Sequence, residues 1–167
     1  MRVEYINPFV ESAFNVLKEY VGNEVKRGEI GLTPSMTIMG VAAMVGLAGD
    51  VEGRVLIDMT LETALKVAGS MNSERDDSKK ITNLVVFNEL DDLAKGTIQE
   101  LANMITGQAV SRLHELGFKF DLTPPALFTG YNLEVTNLGG VEALVVPVEL
   151  GPNGTIVIKV AIREKAK

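Results

Sequence analysis

The chain predicts an α+β fold: an antiparallel-rich sheet packed by long helices, arranged as a pseudo-two-fold internal repeat within one domain spanning residues 1–167. Three observations carry this. Two long stretches repeat apolar residues at helical spacing, several apolar runs rich in β-branched residues are bounded by Gly, Pro, Asn and Asp, and the order helix, strands, short helix is followed by helix, strands again. A length of 167 residues with 46% apolar and 23% charged residues suits one domain closing its own core.

The first helix is predicted from Asn7-Pro8, read as a cap with Pro at the first helical position. Phe9, Val10, Ala13, Phe14, Leu17 and Val21 follow at helical spacing, and Gly22 closes it. Glu29 to Asp50 frames a charge-free stretch about as long as a spanning helix requires. Pro34, its glycines and its β-branched residues instead predict buried sheet, with strands at about Met36–Leu47 and Val51–Met59 joined by Ala48-Gly49-Asp50. Thr60-Leu61-Glu62-Thr63 caps a short helix, and Asn72–Lys80 reads as a solvated linker. A long helix is expected from about Asn88 to Leu116, stopped by Gly117. Three strands then follow at about Leu127–Thr136, Val141–Glu149 and Thr155–Ile162, the last turn being Gly-Pro-Asn-Gly at 151–154. Leu32-Thr33-Pro34 and Gly40 recur as Leu122-Thr123-Pro124 and Gly130 at the same spacing, which supports a duplicated half.

Composition narrows the function. With no Cys there is no thiolate metal site, disulfide or cysteine nucleophile, and a single His leaves little for a histidine-rich metal site or a Ser–His–Asp triad. No metal site is expected in this chain. A net charge of −6 argues against nucleic acid as partner. The acidic, Asn-Pro-containing start lacks the apolar core of a signal peptide, so the cytoplasm is the expected compartment, with no membrane partner.

The informative feature is one face of the long helix. Ile98, Leu101, Ala102, Ile105, Ala109, Leu113 and Leu116 fall within an arc of about 120°, a core stripe. Opposite them Gly96, Glu100, Asn103, Gly107 and His114 fall within about 60° of one another. Each glycine costs about 1 kcal/mol relative to Ala in a helix, so helix propensity would not select two of them. Gly96 and Gly107 bracket Glu100 and Asn103 and would let a partner's backbone approach. The competing explanation is tight packing against another helix of the same chain, which would also have to supply a cation for Glu100. Glu-x-x-Asn occurs as well at Glu4/Asn7 and Glu134/Asn137, but the first is expected to lie ahead of the first helix and the second on a strand. His114 lies about 16 Å along the helix from Asn103 and is expected to be solvated surface. Asp91-Asp92 and Asp76-Asp77 read as helix-start and linker charge.

The run Gln99-Glu100-Leu101-Ala102-Asn103-Met104-Ile105-Thr106-Gly107-Gln108-Ala109, followed by Gly117 and Leu122-Thr123-Pro124-Pro125, resembles the CheC/CheX family of chemotaxis phosphatases. The resemblance extends to the first helix, to Gly53-Arg54-Val55-Leu56 and to Glu62-Thr63-Ala64-Leu65-Lys66-Val67. Because Pro8–Val21 contains no second Glu-x-x-Asn, it is most like the CheX branch, where the motif occurs once. It implies a phosphatase acting on the phosphoaspartate of a CheY-like response-regulator receiver domain. Glu100 would pair with a lysine of the receiver, and the receiver would bring the Mg2+, leaving no cofactor bound by this chain. Asn103 suits the orienting of a water, since its carbonyl accepts and its amide donates. A binding module that sequesters the phosphorylated receiver without hydrolysis is the alternative. The resemblance also implies a homodimer formed through sheet edges, with Val141–Val146 or Met36–Leu47 as the edge.

Overall fold

The computed structural model describes residues 3–22, 24–135 and 141–165. In chain order its elements are α1 (Val3–Tyr20), β1 (Lys26–Arg27), β2 (Gly31–Thr33), β3 (Met36–Ile38), β4 (Val41–Gly49), β5 (Val51–Met59), α2 (Leu61–Asn72), β6 (Glu74–Arg75) and β7 (Ile81–Asn83). Then follow α3 (Asp92–Glu115), β8 (Phe120–Leu122), β9 (Ala126–Thr129), β10 (Leu133–Val135), β11 (Ala143–Glu149), a 3-10 turn at Gly151–Asn153, and β12 (Thr155–Glu164).

The antiparallel main sheet runs β1-β11-β12-β5-β4-β8, with β2 also on β11 and β9 also on β4. Its centre consists of two hairpins, β4/β5 and β11/β12, joined by pairing of their inner strands β5 and β12. Each outer strand is covered by two short strands from the opposite half: β1 and β2 lie on β11, and β8 and β9 on β4. β3 and β10, one from each half, pair with each other and with no other strand among the described residues. This interlocking is the pseudo-two-fold repeat. The recurring letters do not mark it, however. Leu32 and Thr33 sit on β2 opposite Leu144 and Ala143, whereas Leu122 ends β8 and Thr123 leaves the strand to accept a bond from Gly46 N at 2.7 Å.

One face of the sheet buries Val45, Val55, Ile57, Ile158 and Val160 against Phe9 and Leu17 of α1, Val67 of α2 and Ile98, Leu101 and Ile105 of α3. Burial of each large side chain is worth about 1.5–3 kcal/mol. The other face carries a smaller cluster, Met36, Ile38, Ala42, Leu56, Ala143 and Ala161, under β3. There Asp58, 0% exposed, accepts from Met39 N at 3.0 and 3.2 Å and from Lys159 Nζ at 3.0 Å. Lys159 also donates to the Thr37 carbonyl at 2.5 Å, so the pair ties β3 to β5 and β12.

Several local expectations need correction. α1 starts at Val3, not after an Asn7 cap, and Pro8 lies inside it. The missing Pro N–H forfeits one helical bond, yet burial of Tyr5, Ile6 and Phe9, and the Tyr5 hydroxyl bond to Glu164 at 2.6 Å, hold the turn ahead of it. Glu4 and Asn7 are therefore both on α1 and exposed, so a second helical Glu-x-x-Asn exists. α3 begins at Asp92 rather than Asn88, because the Asp91 carboxylate caps Ala94 N at 2.8 Å. Thr60 does cap α2 by accepting from Thr63 N at 3.2 Å. The linker 72–80 instead contains the end of α2 and β6, which pairs with β7. The strand expected over Leu127–Thr136 breaks at Gly130 and Asn132, both at positive φ, into β9 and β10; Thr136 lies outside the described residues. So do Asn137, Gly139 and Gly140. The strand expected over Met36–Leu47 divides into β3 and β4; β4 and β11 both have neighbours on each side, whereas β3 lies in a two-stranded sheet with β10 and keeps an open side among the described residues. At the β4/β5 turn, Gly49 (φ +146°) is required because a Cβ there would lie 2.2 Å from the Lys119 carbonyl oxygen.

Candidate functional site

α3 is built as its periodicity demands. Ile98, Leu101, Ala102, Ile105, Ala109 and Leu113 are all fully buried, while Leu116, expected in the same stripe, forms the C-terminal cap and is 62% exposed. Thr106, also fully buried, satisfies its hydroxyl on the Ala102 carbonyl at 2.7 Å. The helix is pinned on three sides. Gln99 Nε2 donates to the Pro125 carbonyl at 3.1 Å, Asn72 Nδ2 donates to Thr97 Oγ1 at 2.9 Å, and Arg112 pairs with Glu11 of α1. The outward face is thus held in a defined orientation.

On that face Glu100 and Asn103 are exposed, one turn apart, and neither side chain has a hydrogen-bond or ion-pair partner among the described residues. A Cβ built on Gly96 or Gly107 would meet nothing within 4 Å. Among the described residues, therefore, no other helix packs closely against these glycines, which speaks against the competing explanation. His114 is exposed, as expected, and it also bonds to backbone: its Nε2 lies 3.1 Å from the Phe120 carbonyl oxygen and 3.3 Å from the Phe120 nitrogen. A protonated Nε2 donates to the first and an unprotonated one accepts from the second, so the imidazole fastens the end of α3 to β8 in either tautomer. The α1 pair Glu4/Asn7 differs from the α3 pair in sitting in a first turn, directly before Pro8, with no glycine alongside.

Among the described residues, no three His, Asp or Glu side chains gather so as to hold a metal ion, and no helix is long and apolar enough to cross a membrane. What the α3 face offers is an acid, an amide and steric room. An exposed carboxylate and an exposed amide on a fixed helix can offer negative charge and hydrogen bonds to a group brought against them.

The family model described as chemotaxis phosphatase CheX matches residues 41–149, which include all of α3. The chain belongs to the CheX family of chemotaxis phosphatases. It is 28% identical over 149 residues to the CheY-P phosphatase CheX of Thermotoga maritima, covering 89% of this chain and 90% of that one. In structure it resembles the CheX of the CheX–CheY–BeF3–Mg2+ complex from Borrelia burgdorferi, at 40% identity and a TM-score of 0.75, covering 98% of this chain and 100% of that one. A CheC-like superfamily protein from a Shewanella species aligns with a TM-score of 0.81 at 25% identity, over 98% of this chain and 99% of that one. The chain is accordingly a phosphatase.

Proposed function

We propose that this chain acts as a single-domain cytoplasmic phosphatase that hydrolyses the phosphoaspartate of a CheY-like response-regulator receiver domain by docking the outer face of α3 over the receiver's phosphorylation site. One observation carries this reading: Glu100 and Asn103 stand exposed and unpartnered, between two glycines with open space above them. Asn103 orients a water for in-line attack on phosphorus. The bond between phosphorus and the aspartyl oxygen breaks, the receiver's carboxylate is restored, and inorganic phosphate leaves. Glu100 meets a receiver lysine and fixes the register of the helix. Mg2+ is carried by the receiver and balances phosphoryl charge there; the relative crystallised with CheY, BeF3 and Mg2+ supports that division of labour. Such chemistry is mostly positioning, which suits a chain without Cys and with one His already bonded to backbone.

Phosphate release from a phosphorylated CheY-type receiver, with and without this chain, tests the proposal. Release faster than the receiver's own hydrolysis is expected. Tight binding with no acceleration would establish sequestration instead. For assembly, we propose a homodimer whose contact involves the outermost short strands rather than β4 or β11. Ile30 and Leu32, 42% and 61% exposed beside and on β2, are apolar surface at the sheet's rim. Sedimentation at micromolar concentration should give a particle of twice 18.0 kDa; one of monomer mass refutes it.

A further inference from the structure

Gly96 and Glu100 also form one wall of a cleft of about 410 Å³ between α3 and the C-terminal ends of α1 and α2. Its lining is largely apolar: Tyr20 from α1, Met71 from α2, and Leu93 and Met104 from α3. Leu93 is 59% exposed and Tyr20 37%, so the cleft presents apolar surface that the chain's own core does not use. Its shape is set in advance, because the bonds from Asn72 Nδ2 to Thr97 Oγ1 at 2.9 Å and to the Ala68 carbonyl at 2.8 Å lock α2 against α3. Two carboxylates line it, Asp92 and Glu100, separated by about 12 Å of helix, and neither has a partner among the described residues. None of the lining residues described is Lys or Arg.

We propose that this cleft is the specificity pocket of the phosphatase, receiving an apolar side chain of the receiver domain while one receiver cation meets Asp92 and another meets Glu100. The inference rests on the docking reading above and adds to it a second acidic contact and an apolar anchor. Continuity selects the occupant, because any body seated on Glu100 and Gly96 also covers the cleft they border. Charge complementarity selects its chemistry, since an apolar floor between two unpaired acids favours an apolar side chain flanked by basic ones. The Met71 and Met104 thioethers allow the pocket to adapt to more than one side-chain shape.

The test is steady-state dephosphorylation of a phosphorylated CheY-type receiver, together with binding of the same receiver activated by beryllofluoride and Mg2+, using the full chain. Leu93→Asp, exposed in the first turn of α3, is expected to raise KM and Kd at least about tenfold with kcat within about twofold. Tyr20→Ala, on a different helix, should shift KM in the same direction. Asp92→Asn should raise Kd about threefold and flatten its salt dependence. Leu84→Asp alters an equally exposed Leu (65%) in a different cleft and should change neither constant. Wild-type KM for both Leu93→Asp and Tyr20→Ala, with normal wild-type turnover, overturns the pocket and leaves the docking reading standing. Loss of self-association in Leu93→Asp at unchanged KM overturns it in favour of a second copy as occupant. If the wild-type chain neither binds nor dephosphorylates the receiver, the docking reading fails and the pocket with it.

Discussion

Asp58 lies at 0% exposure on the far face of the sheet, holding two contacts from the Met39 N–H and one from the Lys159 ammonium, whereas Glu100 stands exposed on α3 with no partner among the described residues. Both are single carboxylates projecting from regular elements. Asp58 has given up hydration and is compensated by groups fixed during folding, so its bonds serve the architecture by tying β3 down. Glu100 keeps its water and can exchange it for a partner's cation at small cost.

The comparison breaks most sharply at the buried pair. Lys159→Met should cost about 3–5 kcal/mol, read by urea denaturation, because it leaves Asp58 buried without its cation. Burial already pushes the Asp58 carboxyl above its ordinary 3.8, against the opposing pull of the Met39 N–H and of Lys159. The folded chain therefore holds this proton more tightly than the unfolded one, and the group's contribution to stability is full below pH 3.8 and declines as pH rises through the raised value. Removing Lys159 raises that value further, so the variant's stability should fall with pH over a wider span than the wild type's. A slope identical to the wild type's above pH 3.8 would show that Lys159 does not sustain the Asp58 charge.

Asn103→Ala is expected to reduce kcat on the order of 10² or more, with thermal unfolding and receiver affinity nearly unchanged, because the side chain is exposed and makes no hydrogen bond among the described residues. Near-normal phosphate release would remove the water-orienting role. Glu100→Gln should weaken binding by about tenfold and reduce its salt dependence while leaving stability unaltered; an unchanged salt slope would show that Glu100 meets no cation. Gly107→Leu should bring a small gain in stability, because an added Cβ there meets nothing within 4 Å. Stability should rise by up to about 0.8 kcal/mol while receiver docking is lost, a combination seen by pairing calorimetry with a binding titration.

Local signals gave a true reading wherever one element's own period or cap decided the outcome. The 3.6-residue repeat of α3 separates Ile98, Leu101 and Ile105 from Glu100 and Asn103 with no knowledge of what lies on either side. Thr60 caps α2 through chemistry contained in four residues, and β4, β5 and β12 are long enough for their apolar content to declare them. Tertiary structure decided the remainder. β1, β2, β6, β7 and β8 are two or three residues long, too short for any period, and exist because another strand offers them bonds. Pro8 reads as a helix start from its local chemistry and lies inside α1 because the turn before it is buried against the rest of the fold. Asp58 and Lys159 lie 101 residues apart in the chain and meet only once β5 and β12 have paired. Positions such as these depend on contacts distant in sequence, and the free energy that places them comes from burial and pairing that no local window contains.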